Sequence, residues 1–490
     1  MPQMALHSRY NPQAEARRFV DAISVLLPPD YLVITEPGES YLAKPLRERF
    51  PHSVLIAVRY TDSLFLSTDA AWDYVYRPVN GSLPRFLLNT IPDEFFANTI
   101  FLSWKPADNQ WSDCANSVQK AISETLEIFK SVMYTRTAFG SLWLKNFVTN
   151  LALIKNPAAA KFADTDFFFL ASGFSAEKQW KLLLQKKAPC LCAGSTYEAA
   201  RYYHIPVSAC ISTDGSFWAG QHLRNLEETV PLLFPLEAGI PKPLLEKNFG
   251  VLLSYGSELE RYVFDELHLP FLSAKRNGTV SGTAVELLLE HTTKSIYAFG
   301  LDLHGGKSFS HARPHLSLNR VQSSTTKLRS LETVLCTPRF ASASLQTYAA
   351  WFASLPPYKA RRLSRTGVDS DCAVLPNVMS VSSDAVAEKK FADWKNAVRI
   401  VPMTCSESVE RKAFLCRFIR DASEQINAMP LHDILYPAGK NPKCLKEMVE
   451  LTAYAKLVRY VKTKSSADAQ AVKEKCRAEL EILLERLGKR

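Results

Sequence analysis

A loop that opens at Gly300 gathers the residue types best suited to chemistry in this chain: Asp302, the pair Gly305-Gly306, Lys307 and, four residues on, His311. Adjacent glycines let the backbone approach a ligand, a lysine supplies a point positive charge, and a carboxylate or imidazole can accept a proton. The run 295–299 in front of this loop is apolar and strand-like, and loops at strand ends are where binding and catalytic groups concentrate. The same residues also suit a glycine-rich turn with solvated charges, so the loop gains weight only from what else reaches it.

Three further strand-like runs end in small polar clusters. The run 166–171 closes on Ser172-Gly173-Phe174-Ser175 ahead of a helix over 176–185. The run 190–193 closes on Gly194-Ser195-Thr196 ahead of a helix over 197–203, and 207–211 closes on Ser212-Thr213-Asp214-Gly215. Hydroxyls and N–H groups at helix starts favour a phosphate, and repeated strand-end clusters are what a crevice at the carboxyl edge of a parallel sheet requires. Ser281-Gly282-Thr283 opens a helix over 284–291, so Ser281 is either its N-cap or another ligand-facing hydroxyl.

The positioning elements divide the chain into three. A helix over 11–26, strands at 31–35 and 53–58 and a helix over 42–50 predict a small parallel sheet at the N-terminus. It has the order of a nucleotide-binding half in which only Gly38 stands in the first turn, which argues against catalysis there. Helical spacing over 117–152 leads into the central strands, to which 249–254 adds another. After about residue 350 the texture turns rich in Pro, Ser, Arg and Asp, and from Phe391 it reads as helices ending in 445–487. The expectation is an α/β protein: an N-terminal α/β domain over 1–134, a central Rossmann-like domain over 135–355 and a mainly helical domain over 356–490.

The chain has 490 residues with 47% hydrophobic and 22% charged side chains, ordinary for globular domains. No apolar run approaches the roughly 20 residues needed to span a bilayer. The start lacks a basic-then-apolar leader, and the expected location is the cytoplasm. Ten scattered cysteines predict reduced, mostly buried thiols. A net charge of +10 invites nucleic acid, but with no RNP-like or zinc-finger motif it fits an anionic small molecule equally well, and no nucleic-acid partner is expected. The absence of P-loop, complete dinucleotide, zincin and nucleophile-elbow signatures removes support for those enzyme classes. Asp164-Thr165-Asp166 imitates a metal-binding D-x-D but precedes its strand, at the wrong edge of the sheet, so no metal site is expected.

Taken in order, these motifs resemble the motility-associated-factor (Maf) flagellin glycosyltransferases, whose central domain is also similar to an archaeal hydroxymethylpterin pyrophosphokinase. Leu6-His7-Ser8-Arg9-Tyr10-Asn11-Pro12 looks like that family's opening, and Phe139-Gly140 with Trp143, Asn146 and Asn150 like its next motif. Ala171 to Ser175, Ile211 to Asp214, Ser281 to Ala284, and Gly300 to Leu303 with Gly306, Lys307 and His311 match the central domain. Arg365-Thr366-Gly367-Val368 resembles a degenerate form of the segment that follows. Phe174 departs from a usual proline, and Gly194 from a polar position.

The resemblance implies a sialyltransferase-like central domain that moves a nonulosonic, sialic-acid-like sugar from a CMP-activated donor to Ser or Thr hydroxyls of flagellin. It implies donor binding by Ser172, Gly173, Ser175, Gly194, Ser195, Thr213, Ser281, Gly306 and Lys307, with no obligatory cofactor. Asp302, Asp214 and His311, in that order, are the candidates for the base. A pterin-alcohol pyrophosphokinase using Mg–ATP is the rival enzyme. A flagellin-binding adaptor with a decayed site, suggested by Phe174 and Gly194, is the non-enzymatic alternative.

Overall fold

The computed structural model describes residues 6–303, 311–331, 343–368, 372–403, 407–436 and 444–488. The chain is a mixed α/β protein with two parallel sheets and a helical C-terminal region. It forms two compact units: Met1–Ser141 with Ile426–Tyr436 and Met448–Glu479, and Leu142–Gln425 with Pro437–Glu447 and Leu480–Arg490. The helix Ser112–Leu153 begins in the first unit and ends in the second, and the division falls inside it at 141/142. The segment 356–490, expected as a domain of its own, is distributed over both units.

In the first unit, β1 (Tyr31–Thr35), β2 (Val54–Val58), β3 (Tyr74–Tyr76) and β4 (Thr99–Ser103) form a parallel sheet in the order β3-β2-β1-β4. Leu32, Ile34, Leu55 and Ala57 face one side of it and pack with Ala16 and Val20 of the helix Pro12–Asp21 and with Leu46 of the helix Ala43–Arg49. The C-terminal stretch read as helical is divided into Cys444–Thr463, which is kinked at Ala453, and Ser466–Gly488. They are parted at Lys464, which adopts φ of +51°.

Among the described residues the second unit is built on an eleven-stranded sheet. Its strands are β5 (Asn156–Phe162), β6 (Phe167–Leu170), β7 (Cys190–Ala193), β8 (Ala209–Ile211), β9 (Leu232–Pro235), β10 (Phe249–Ser254), β11 (Phe271–Ser273), β12 (Ile296–Phe299), β13 (Leu363–Thr366), β14 (Met379–Val381) and β15 (Val398–Pro402). The order is β14-β13-β12-β6-β7-β8-β9-β10-β5-β15, with β11 on the last part of β10. All pairings are parallel except β15 on β5. Strands buried on both faces give continuous apolar runs, as in Phe167-Phe168-Phe169-Leu170, where all four side chains are buried.

From β6 the chain lays down β7, β8, β9 and β10 in one direction, then returns to place β12, β13 and β14 on the other side of β6. The β6/β12 boundary is therefore the switch point of the sheet, where two successive loops diverge and leave a crevice outside the carboxyl ends. The loops after β6 and after β12 are the two that the sequence marked most strongly.

Candidate functional site

The loop after β6 is tied to the loop after β12 by backbone. Ala171 N–H donates to Phe299 O at 2.9 Å and Gly173 N–H to Gly300 O at 2.8 Å. Gly173 also bridges His311, and Ala312 N–H donates to Ser172 O at 2.8 Å. Gly300 sits at φ of +70°, and a Cβ there would lie 2.6 Å from Ala171 O. The crossing is thus close enough that both loops need a glycine.

Asp302 completes the tie. It is 2% exposed, accepts the Ser175 N–H at 2.9 Å and also accepts the Ser175 hydroxyl. Its backbone carbonyl accepts Ala373 N–H at 3.0 Å. Arg365, in β13 and 4% exposed, donates through Nη1 to Ala373 O at 2.8 Å. Burial lowers the Arg365 pKa, while Cys372 and Asp302 pull it back up. The Asp302 carboxylate therefore works as an internal acceptor that joins two loops, and its charge offsets part of the burial of Arg365, a structural task not foreseen for it.

On the β7/β8 side, Ser195 is half-buried and Thr196 fully buried, and Thr196 Oγ1 has no hydrogen-bond partner among the described residues. Gly194 serves packing: a Cβ there would meet Leu223 at 2.9 Å. Thr213 is half-buried and Asp214 exposed, with Asp214 Oδ1 accepting Ser216 N–H at 2.8 Å. Ser281 is not an N-cap. It lies in the first turn of the helix Val280–His291, whose N-cap is Thr279. Gly306 and Lys307 lie outside the described residues.

Several neighbours were missed. His222, ending the helix Phe217–His222, lies 4.6 Å from His315, and His311 stacks on His315 at 4.3 Å, ring centroid to centroid. Thr366, at the end of β13, is fully buried and its Oγ1 has no partner among the described residues. The one signal that reached it was the Arg365-Thr366-Gly367 motif. The long helix explains a second motif: Asn146 Nδ2 donates to Gly215 O at 2.8 Å and Glu237 O at 2.9 Å, while Asn150 Nδ2 donates to Leu236 O at 2.8 Å and Ala238 O at 2.7 Å. Spaced i, i+4 on one helix face, the two amides clamp the loops after β8 and β9. Asp164 and Asp166 stand at the amino edge, accepting hydrogen bonds from Thr292, Thr293 and Ser295.

The histidine cluster carries a pH dependence. Burial, with a smaller push from His222, holds His311 down at about 4. Burial and the other two imidazoles depress His315, and burial outweighs Asp214 in lowering His222. An unfolded imidazole titrates near 6.5, so below that pH the unfolded chain binds more protons and the folded state loses stability. Tm is expected to hold above about pH 7 and to fall from about pH 6.5 toward 4, a loss of a few kcal/mol. Differential scanning fluorimetry across that range checks it; an unchanged slope in a His311→Gln, His315→Gln double variant would refute the assignment.

An uncharacterized protein of Treponema pallidum (strain Nichols) is 34% identical to this chain over 407 residues, covering 83% of this chain and 90% of that one. The chain belongs to that protein's family. Among solved structures it is similar to a Maf glycosyltransferase from Magnetospirillum magneticum AMB-1, with a TM-score of 0.52 over 99% of this chain and 85% of that one at 12% identity. The chain has the Maf glycosyltransferase fold. No protein-family model matches it. Among the described residues no helix is long and apolar enough to cross a membrane.

Proposed function

We propose that the protein is a cytoplasmic glycosyltransferase that moves a nonulosonic, sialic-acid-like sugar from a CMP-activated donor to Ser or Thr hydroxyls of flagellin. The observation that carries this reading is the convergence of the Ser172–Ser175 and Asp302 loops at the switch point of a Maf-like sheet. In this reading the acceptor oxygen attacks the anomeric carbon, the bond from that carbon to the CMP phosphate oxygen breaks, and CMP leaves with the bonding electrons. The acceptor proton goes to a side-chain base.

The Asp302 carboxylate is committed to Ser175, so we assign proton acceptance to Asp214, the exposed carboxylate in the loop after β8, with His311 beside the β6 loop. A single CMP phosphate carries less charge than a nucleoside diphosphate. N–H groups and hydroxyls of Ser172, Ser195, Thr213 and Ser281, with Gly173 and Gly194 for close packing, can meet it without a metal. Lys307, with Gly306 beside it, is assigned to the same phosphate.

Incubation with CMP-nonulosonate and flagellin is expected to release CMP and add one sugar mass per modified hydroxyl, undiminished by EDTA. An unshifted flagellin mass refutes the reading. Metal-dependent AMP formation from ATP and a pterin alcohol would replace it with the pyrophosphokinase, and flagellin binding without turnover with the adaptor.

A further inference from the structure

The opening motif Leu6 to Pro12 has a definite place in the first unit. There the chain leaves β1 for β2 and β3 in one direction and sets β4 on the other side of β1, so the β1/β4 boundary is that sheet's own switch point. The loops at this edge are Glu36 to Ser40 and Trp104. Between them sits His7. Its ring stacks on Trp104 at 5.3 Å and 28° and meets Tyr41 edge-on at 5.0 Å, and its Nε2 accepts the Glu39 N–H at 3.0 Å. Gly38, at φ of +57°, makes the room: a Cβ there would lie 2.4 Å from His7 Nε2. Trp104 Nε1 holds the segment by donating to Leu6 O at 2.9 Å.

The ring is an imperfect occupant. Because Nε2 accepts a hydrogen bond, a neutral imidazole carries its proton on Nδ1, and Nδ1 is buried with no partner among the described residues. We propose that this slot is a binding site for an uncharged planar nitrogen heterocycle of the nucleobase or nucleoside class, filled by His7 when none is bound. An aromatic platform, an edge-on ring and one backbone donor are what such a heterocycle uses.

The surroundings select against a phosphate. Arg59, a buried cation beside this slot, has all five N–H donors spent: Nε on Asp69, Nη1 on Glu36 and Gly38 O, Nη2 on Ser40 and Thr68. Glu15 and Glu39 add negative charge around the ring. The expected ligand is therefore a nucleoside and not its phosphate. This inference does not depend on the central site being a glycosyltransferase.

The test is calorimetric titration of the full chain, its His7→Ala and Trp104→Leu variants with adenosine, cytidine and uridine, each beside its 5′-monophosphate. Removing the internal occupant is expected to tighten binding of at least one nucleoside about 10-fold over the parent, because the parent binds only in its opened fraction. Trp104→Leu is expected to abolish that binding, and the monophosphate to bind no better than the nucleoside. In the parent, saturating nucleoside is expected to speed tryptic cleavage after Arg9. No heat with any nucleoside in parent or His7→Ala, or equal affinity in all three proteins, overturns the proposal; His7→Gln repeats the test if His7→Ala does not fold. Binding at the central crevice survives Trp104→Leu, so failure of one reading is distinguishable from failure of the other.

Discussion

Asp302→Ala is expected to cost about 3 kcal/mol or more of stability in a denaturant titration, because it strands groups that have no water to turn to. The Ser175 N–H and hydroxyl lose their acceptor, Ser175 itself is fully buried, and Arg365 is left with less to offset its burial. The same change frees the β6 loop from the β12 loop. Donor turnover is expected to fall by at least about 100-fold, the scale on which small misplacements of reacting groups act. Asp302→Asn separates the two roles open to this carboxylate. A general base replaced by an amide loses the limb of the pH–rate profile that it governs while the fold stays intact. A positioning acceptor replaced by an amide keeps the shape of that profile while kcat and Tm fall together, since the amide can satisfy one of the two Ser175 donors and not both. The buried geometry predicts the second pattern, and an altered pH profile at unchanged Tm would restore Asp302 as the base.

That distinction marks where sequence reading stopped. Strands β1, β7 and β10 have the bounds expected of them, because short apolar runs edged by Gly, Pro or polar residues leave few other choices. Strand β5, with Pro157 and three alanines, carries almost no strand propensity and exists because β10 and β15 flank it. Strand β15 lies in a stretch read as helical and is likewise a product of its partner. The meeting of Ser172–Ser175 with the Asp302 loop was legible as two strand-end clusters. Its closeness was not, since Ser175 and Asp302 are 127 residues apart and only the return of the chain to the β6/β12 boundary joins them. His222 and His315 stand on a short helix and in a loop with no periodicity to expose them. Their relation appears only once the rings are 4.6 Å apart.

Gly173→Ala is the sharpest steric test of that meeting. Gly173 has φ of −69° and ψ of 155°, a conformation any residue adopts, so the substitution brings no backbone strain and acts through space alone. The added Cβ would lie 2.4 Å from Gly300 O and 2.5 Å from Asp302 Oδ2. Both neighbours are fixed, one as backbone and the other by Ser175. The loops must therefore part, which lengthens the Gly173 N–H to Gly300 O bond and carries the His311 bridge with it. A destabilisation of about 2–3 kcal/mol is expected, the upper part of the range for overpacking, with donor affinity falling alongside. Gly488→Ala, where a Cβ meets nothing within 4 Å, is the matched control and should leave Tm unchanged. If Gly173→Ala folds as stably as the parent and binds donor equally well, the two loops are not in contact in solution, and the shared crevice on which the proposed function rests does not exist.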